Sequence, residues 1–214
     1  MAIPQSIEKN IALPGVEQAN FVKYLTEANL PISNSKTIAY QSLYHFVQTS
    51  DNTTLANTAK FFTGTYDATK TNFPGNNFVL PQSQHFLVTA IQGGIWVGSS
   101  NTASTPYTRI TKGFASINSL STADNNNNFL FSATYDFTVN GIVMQKGIPL
   151  TEFDNVMLTQ QRGRFELSQP ILIPSQSDFS LVVSSKGAAT LQADKQSSDA
   201  INGIWFELIG IGLI

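Results

Sequence analysis

The chain of 214 residues has no cysteine. That excludes disulfides, cysteine-ligated zinc and thiol catalysis. Charge is scarce: Asp, Glu, Lys and Arg make up 12% of residues, against roughly 25% in ordinary soluble domains. The formal net charge is −2. No broad basic field is available to hold a phosphate backbone, so specific nucleic-acid binding is not expected. No stretch approaches the roughly 18–20 consecutive apolar residues of a membrane span. The segment MAIPQSIEKNIALPGVEQ has no basic start and no apolar run, and Glu8 and Lys9 fall where such a run would lie. No secretory signal is expected from it. The sequence also contains no GxSxG, GxGxxG, P-loop or HExxH pattern.

What is abundant is apolar and uncharged polar. Hydrophobic residues are 42% and aromatics 11%, enough for a sizeable core. Ser, Thr, Asn and Gln carry the polar load. Such side chains suit strand faces, turns and surfaces that another protein will cover. At this length a single all-β domain is admissible.

Residues 1–36 differ from the rest. Pro14-Gly15 precedes VEQANFVKYLTEANL, and Pro31 follows it. Phe21, Leu25 and Ala28 recur at helical spacing, Val16 and Tyr24 extend the stripe, and Glu17 falls in the first turn, where the helix dipole favours it. A helix of about three turns is marginal alone. Its apolar face must dock on its own domain or on a neighbouring subunit.

The next segment, TIAYQSLYHFVQTS at 37–50, fits a period of two through Ile38, Tyr40, Tyr44 and Phe46. It also fits a helical stripe through Tyr40, Leu43, Tyr44 and Val47. Its aromatic and β-branched content favours a strand.

From about residue 58 the pattern is all β. AKFFTGTYD reads as a strand, NFPGNN at 72–77 as a turn, and 85–91 as a strand broken at Gly93-Gly94 before another at 95–98. YTRITKGFASI follows, and 121–128 is a polar loop tip. In FLFSATYDFTVNGIVMQKG, Asn140-Gly141 fits the type I′ turn of a hairpin. RFELSQPILIPSQSDFSLVVSS at 164–185 reads as two strands of a hairpin around a polar turn. In GIWFELIGIGLI, Ile204, Phe206 and Leu208 alternate before Ile209, Ile211 and Leu213 take the other parity. A strand covered on both faces, in mid-sheet, would read that way. The expected architecture is an antiparallel β-sandwich at 37–214, jelly-roll-like, with an N-terminal helical arm at 1–36.

Candidate chemistry is thin. His45 and His85, the only histidines, read as ordinary strand residues rather than metal ligands. Glu152 and Asp154 would share one face of a strand, as a glycosidase pair does, but adjacent carboxylates are more often solvated surface. Asp124 to Asn128 lack the Gly and Glu positions of a calcium loop. Asn52-Thr53-Thr54 is a glycosylation sequon with no export signal beside it. Arg162-Gly163-Arg164 with Lys146 is the densest positive cluster and reads as a solvated strand end. Trp96, Tyr107 and Trp205 could include a sugar-stacking platform, and Trp205 faces away from Ile204 and Phe206. No catalytic, cofactor-binding or metal-binding residue is assigned.

DFTVNGIVMQKGIPL, RGRFELSQPILIPSQSDFSLVVSS and GIWFELIGIGLI together resemble the C-terminal half of jelly-roll structural proteins of tailed and related bacteriophages. FFTGTYDATKTNFPGNNFVLPQSQHFLVTAI would be the matching first half, so the resemblance spans roughly 58–214. It implies a non-enzymatic virion component without cofactors, a coat, vertex or decoration protein. Such a protein assembles in the host cytoplasm with copies of itself and with other virion proteins. The helical arm would then reach a neighbour, and the chain without residues 1–36 would fold but not assemble. The alternative is a binding module on a fibre or appendage, holding a glycan or receptor through Trp96, Tyr107 or the loop at 99–107. A β-sandwich hydrolase using Glu152 and Asp154 is the third reading.

Overall fold

The computed structural model describes residues 15–30, 37–48, 54–55, 58–64, 66–73, 78–98, 109–110, 112–114, 132–154, 163–185, 189–190 and 200–213. Among the described residues a helix, α1 (Gly15–Glu27), comes first. The strands are β1 (Ile38–Gln48), β2 (Thr54–Leu55), β3 (Thr58–Phe61), β4 (Phe86–Gly98), β5 (Arg109–Ile110), β6 (Thr134–Val139), β7 (Ile142–Pro149), β8 (Arg164–Ile173), β9 (Phe179–Ser184), β10 (Ala189–Thr190) and β11 (Ala200–Leu213). A 3-10 turn at Leu150–Asp154 follows β7.

The pairing is nested. β1 pairs with β11, β3 with β9, β4 with β8 and β6 with β7, all antiparallel. Two further ladders, β11 to β4 and β9 to β6, join these pairs into sheets. The larger sheet runs β1-β11-β4, with β8 and the short β5 both on the far edge of β4. The smaller runs β3-β9-β6-β7. Their inner faces meet in one core. Phe86, Val88, Ile91, Ile204, Phe206 and Leu208 come from the larger sheet, and Tyr135, Phe137, Val139, Phe179, Leu181 and Val183 from the smaller. The protein is an all-β antiparallel sandwich, as its alternating patterns indicate.

Two local expectations change. Residues 164–185 do form two strands, β8 and β9, but these are not a hairpin. β8 lies in the larger sheet and β9 in the smaller. The Pro174–Asp178 turn is a corner between layers: Ser175 N–H donates to His85 Nδ1 at 3.0 Å, and Gln176 N–H donates to the Leu80 carbonyl at 2.8 Å. Alternation marks an inside and an outside but does not say which sheet supplies the neighbour. Gly93-Gly94 does not break its strand either, since β4 continues through both. A Cβ on Gly93 would lie 2.9 Å from the rings of Phe114 and Phe206, so the glycine makes room for aromatic packing.

Strand limits also shift. AKFFTGTYD is a strand only to Phe61, because Phe62 adopts a positive φ of 59°. The hairpin turn is as expected: Asn140 and Gly141 have φ of 49° and 74°, the signs a type I′ turn requires. β11 lies between β1 and β4, in mid-sheet. Residues 74–77, 99–107 and 121–128, including most of the proposed turn and both polar loops, lie outside the described residues.

The helix packs on its own sheet. Phe21 and Leu25 are fully buried against Ile38, Leu87, Ile211 and Leu213 on the outer face of the larger sheet, and Val22, Tyr24 and Leu30 pack beside them. Ala28 is exposed. The helix ends in a Schellman cap: Asn29 has φ 52°, its N–H reaches the Thr26 carbonyl at 3.0 Å, and Leu30 N–H reaches the Leu25 carbonyl at 2.9 Å. That cap turns Leu30 back into the same cluster. Phe21→Ala is expected to lower the unfolding free energy by about 3–5 kcal/mol, measured as a shift in urea midpoint.

Candidate functional site

A recess lies between α1 and the outer face of the larger sheet, with a volume of about 630 Å³. Lys23, Tyr24 and Glu27 form its helical wall, Tyr40 and Ile209 its floor, and Arg164 and Glu166 its far side. Strand register explains the assembly: Tyr40 stands opposite Ile211, which stands opposite Leu87, while Glu166 pairs with Ala90. The charges are balanced locally. Lys23 Nζ lies 3.7 Å from Glu27, one helical turn away, and Arg164 Nε lies 2.5 Å from Glu166. Tyr40 is 61% exposed. The groove therefore offers aromatic and aliphatic surface with an electrically neutral rim, suited to an uncharged ligand. Its residues come from α1, β1, β4, β8 and β11, and no linear motif joins them.

At the other end of this face the aromatics are closed off. Trp205 is 5% exposed, with its ring 6.2 Å from Phe46, and Tyr44 lies 5.3 Å from Phe46. Trp205 covers the second face of its strand and does not form an open platform. The Trp96 side chain and Tyr107 lie outside the described residues, as do Asn52, Asp124 to Asn128 and Arg162.

Both histidines are structural fasteners. His45 is buried and stacks on Phe78 at 4.8 Å, and its Nδ1 accepts the Phe62 N–H at 2.6 Å. That bond holds the backbone where β3 ends in its left-handed residue. His85, just before β4, is 1% exposed and accepts the Ser175 N–H through Nδ1. It ties the corner between the two sheets to the start of β4. Among the described residues no group of three or more His, Cys, Asp or Glu is arranged to hold a metal ion. No described helix is long and apolar enough to cross a membrane.

Glu152 lies in the 3-10 turn rather than on a strand, so the strand spacing expected for Glu152 and Asp154 is not present. The Asp154 side chain is outside the described set. The nearest unusual group is Tyr135. It is fully buried, with ring centroids 5.6 Å from Phe153 and 6.3 Å from Phe206. Its hydroxyl has no hydrogen-bond partner. Burial, with a smaller contribution from the Glu152 carboxylate, pushes the phenol well above its ordinary range. A phenol so enclosed stays neutral and has no reactive form near neutral pH. Lys146 is exposed on β7 in the smaller sheet, and Arg164, paired with Glu166, begins β8 in the larger.

Comparison with protein-family models, with curated proteins and with solved structures finds no match to the chain.

Two stability outcomes follow from these buried groups. Tyr135→Phe removes an unpaired buried hydroxyl and should raise stability by about 1 kcal/mol, read as a higher denaturant midpoint. For His45, burial, aided by Lys70 and opposed by Asp67, lowers the pKa from 6.5 to about 4. The unfolded chain then takes up a proton that the native state refuses. Stability is complete above pH 6.5 and falls as pH drops toward 4, by about 3 kcal/mol in all from this residue. His45→Gln keeps an acceptor for the Phe62 N–H and should flatten the stability profile in that window. An unchanged slope in urea titrations would refute the assignment.

Proposed function

We propose that the chain is a non-enzymatic structural protein of a virus particle, a coat, vertex or decoration protein of jelly-roll type that assembles with copies of itself. The observation that carries this reading is the nested pairing. A ribbon of nested antiparallel pairs folds back at Asn140-Gly141; β1–β11, β3–β9, β4–β8 and β6–β7 alternate between the two main sheets, while the short β2–β10 pair, second in chain order, forms a two-stranded sheet of its own. That winding is how a jelly roll is built, and the architecture recurs in viral capsids, lectins and cupins. Fold alone does not choose among them. The phage-like phrasing of residues 58–214 and the low charge favour the capsid class. Surfaces of Ser, Thr, Asn and Gln are cheaper to desolvate on assembly than charged ones, since an unpaired buried charge costs several kcal/mol.

The groove beneath α1 favours a second reading, a binding module for a glycan or receptor. Its tyrosines, Tyr24 and Tyr40, and its neutral rim fit a carbohydrate. Light scattering on the purified full chain across a concentration series separates the two. Closed oligomers or particles are expected. A strictly monomeric protein at every concentration, with Tyr40-dependent binding on a glycan array, would replace the structural reading with the binding one.

A further inference from the structure

The side of β1 away from β11 is covered by a strap, residues 62–73, of which residue 65 lies outside the described set. Backbone and side chains fasten it. Phe46 N–H donates to the Lys70 carbonyl at 2.9 Å, and His45 stands opposite Thr71 as in an antiparallel ladder. The Asn72 side chain accepts the Tyr44 N–H and donates to the Ser42 carbonyl, both at 2.8 Å. The Thr71 hydroxyl donates to the Tyr44 carbonyl at 2.6 Å. The strap thus closes an edge that the larger sheet would otherwise present. It also carries Phe62 and Phe73 into the core.

The strap begins at Phe62, whose φ of 59° is rare for a bulky residue and must be held by its surroundings. One hold is His45 Nδ1, which accepts the Phe62 N–H at 2.6 Å. The ring of His45 sits among uncharged groups. Phe78 stacks on it at 4.8 Å, Phe62 and Phe61 of β3 lie at 5.7 and 6.0 Å, and its ladder partner on β11 is Phe206. The charges that act on it are both on the strap: Lys70 opposes protonation and Asp67 favours it. These two lie 3.5 Å apart, and bonds from Thr69 hold the Asp67 carboxyl below its ordinary range, so it stays ionised in mild acid.

An Nδ1 that accepts leaves the one proton of a neutral imidazole on Nε2. A second proton must go to Nδ1, where it points at the Phe62 N–H. Two donors then face each other, the bond is lost, and a cation is left among aromatic rings with its hydration removed. With the strap open, the ring meets water and takes the proton freely. Acid therefore favours the open form.

We propose that His45 and the 62–73 strap form an acid-released latch: protonation of His45 lets the strap leave the β1 edge while the two sheets stay paired, uncovering Phe62, Phe73 and the edge at Tyr44–Phe46. The latch goes beyond the assembly reading and holds equally for a particle subunit or a monomer. The ring binds its proton at about 4 when closed in and at 6.5 in water, so the open form should gain about 20-fold between pH 7 and pH 5 by linkage.

The test is amide hydrogen exchange of the full chain by NMR at pH 7 and pH 5, with rates corrected for the intrinsic effect of pH. The Phe46 and Phe62 N–H groups should show the roughly 20-fold gain, whereas Leu208, inside the β1–β11–β4 ladders, should change only slightly because its opening is a separate event. His45→Gln keeps an acceptor for the Phe62 N–H and cannot titrate, so the gain at Phe46 and Phe62 should vanish. If that variant does not fold by circular dichroism, the comparison within the unsubstituted chain decides alone. An equal gain at Leu208 and Phe62 means global unfolding and overturns the latch. So does the absence of a gain at Phe62, or a gain that survives in folded His45→Gln.

Discussion

The structure depends on the double ladder of β11. This strand pairs with β1 from Ile38↔Leu213 to Gln48↔Gly203 and with β4 from Gly212↔Phe86 to Ala200↔Gly98. Both of its faces are used. Ile204, Phe206 and Leu208 enter the sandwich core, while Ile211 and Leu213 lie beneath α1. One strand thus joins the two layers of packing that hold the molecule. Its partner β1 comes from the opposite end of the chain, so the ladder closes only after a long loop-closure cost has been met. Folding dominated by such non-local pairing is slow relative to helical proteins of similar stability.

Aromatic rings and glycines fix the middle of the larger sheet. Phe206 contacts Phe61 at 4.8 Å and both Phe114 and Phe153 at 5.5 Å. Gly93 leaves the room for two of these rings. Its N–H donates to the Gly163 carbonyl at 2.8 Å, and its own carbonyl accepts the Gly113 N–H at 2.8 Å. Gly163 has φ 80°, and a Cβ there would lie 2.4 Å from the Gly113 nitrogen. Three glycines therefore let two separate chain segments approach the same point of β4. That close approach sets the start of β8, and with it Arg164 at the rim of the groove.

The two outer faces differ in kind. Across the smaller sheet, Lys60, Val182 and Asp136 stand in one row, and Ser180 pairs with Thr138. This is a polar, solvated face. Across the larger sheet the outward face mixes apolar and aromatic residues with Thr89, Arg164, Glu166 and Glu207; α1 covers its apolar end, and Phe46 and Trp205 close the other. The groove is the gap between those covers.

Much of the local form was legible in the sequence. The stripe of Phe21 and Leu25 marked the buried face of a helix, Asn140-Gly141 marked a turn with two left-handed residues, and the lost alternation after Leu208 marked a strand covered on both sides. These signals act over about ten residues, because side-chain period and turn dihedrals are properties of adjacent peptide units. The tertiary structure alone decided which strands are neighbours. It put β8 and β9 in different sheets across the Pro174–Asp178 corner, seated the helix on its own domain, and made His45 and His85 acceptors for distant backbone N–H groups. It also brought Tyr24, Tyr40, Arg164 and Glu166 to one groove from three elements. Alternation states only that a face is buried. The identity of what buries it comes from the cooperative packing of segments far apart in the chain, and no local pattern carries that information.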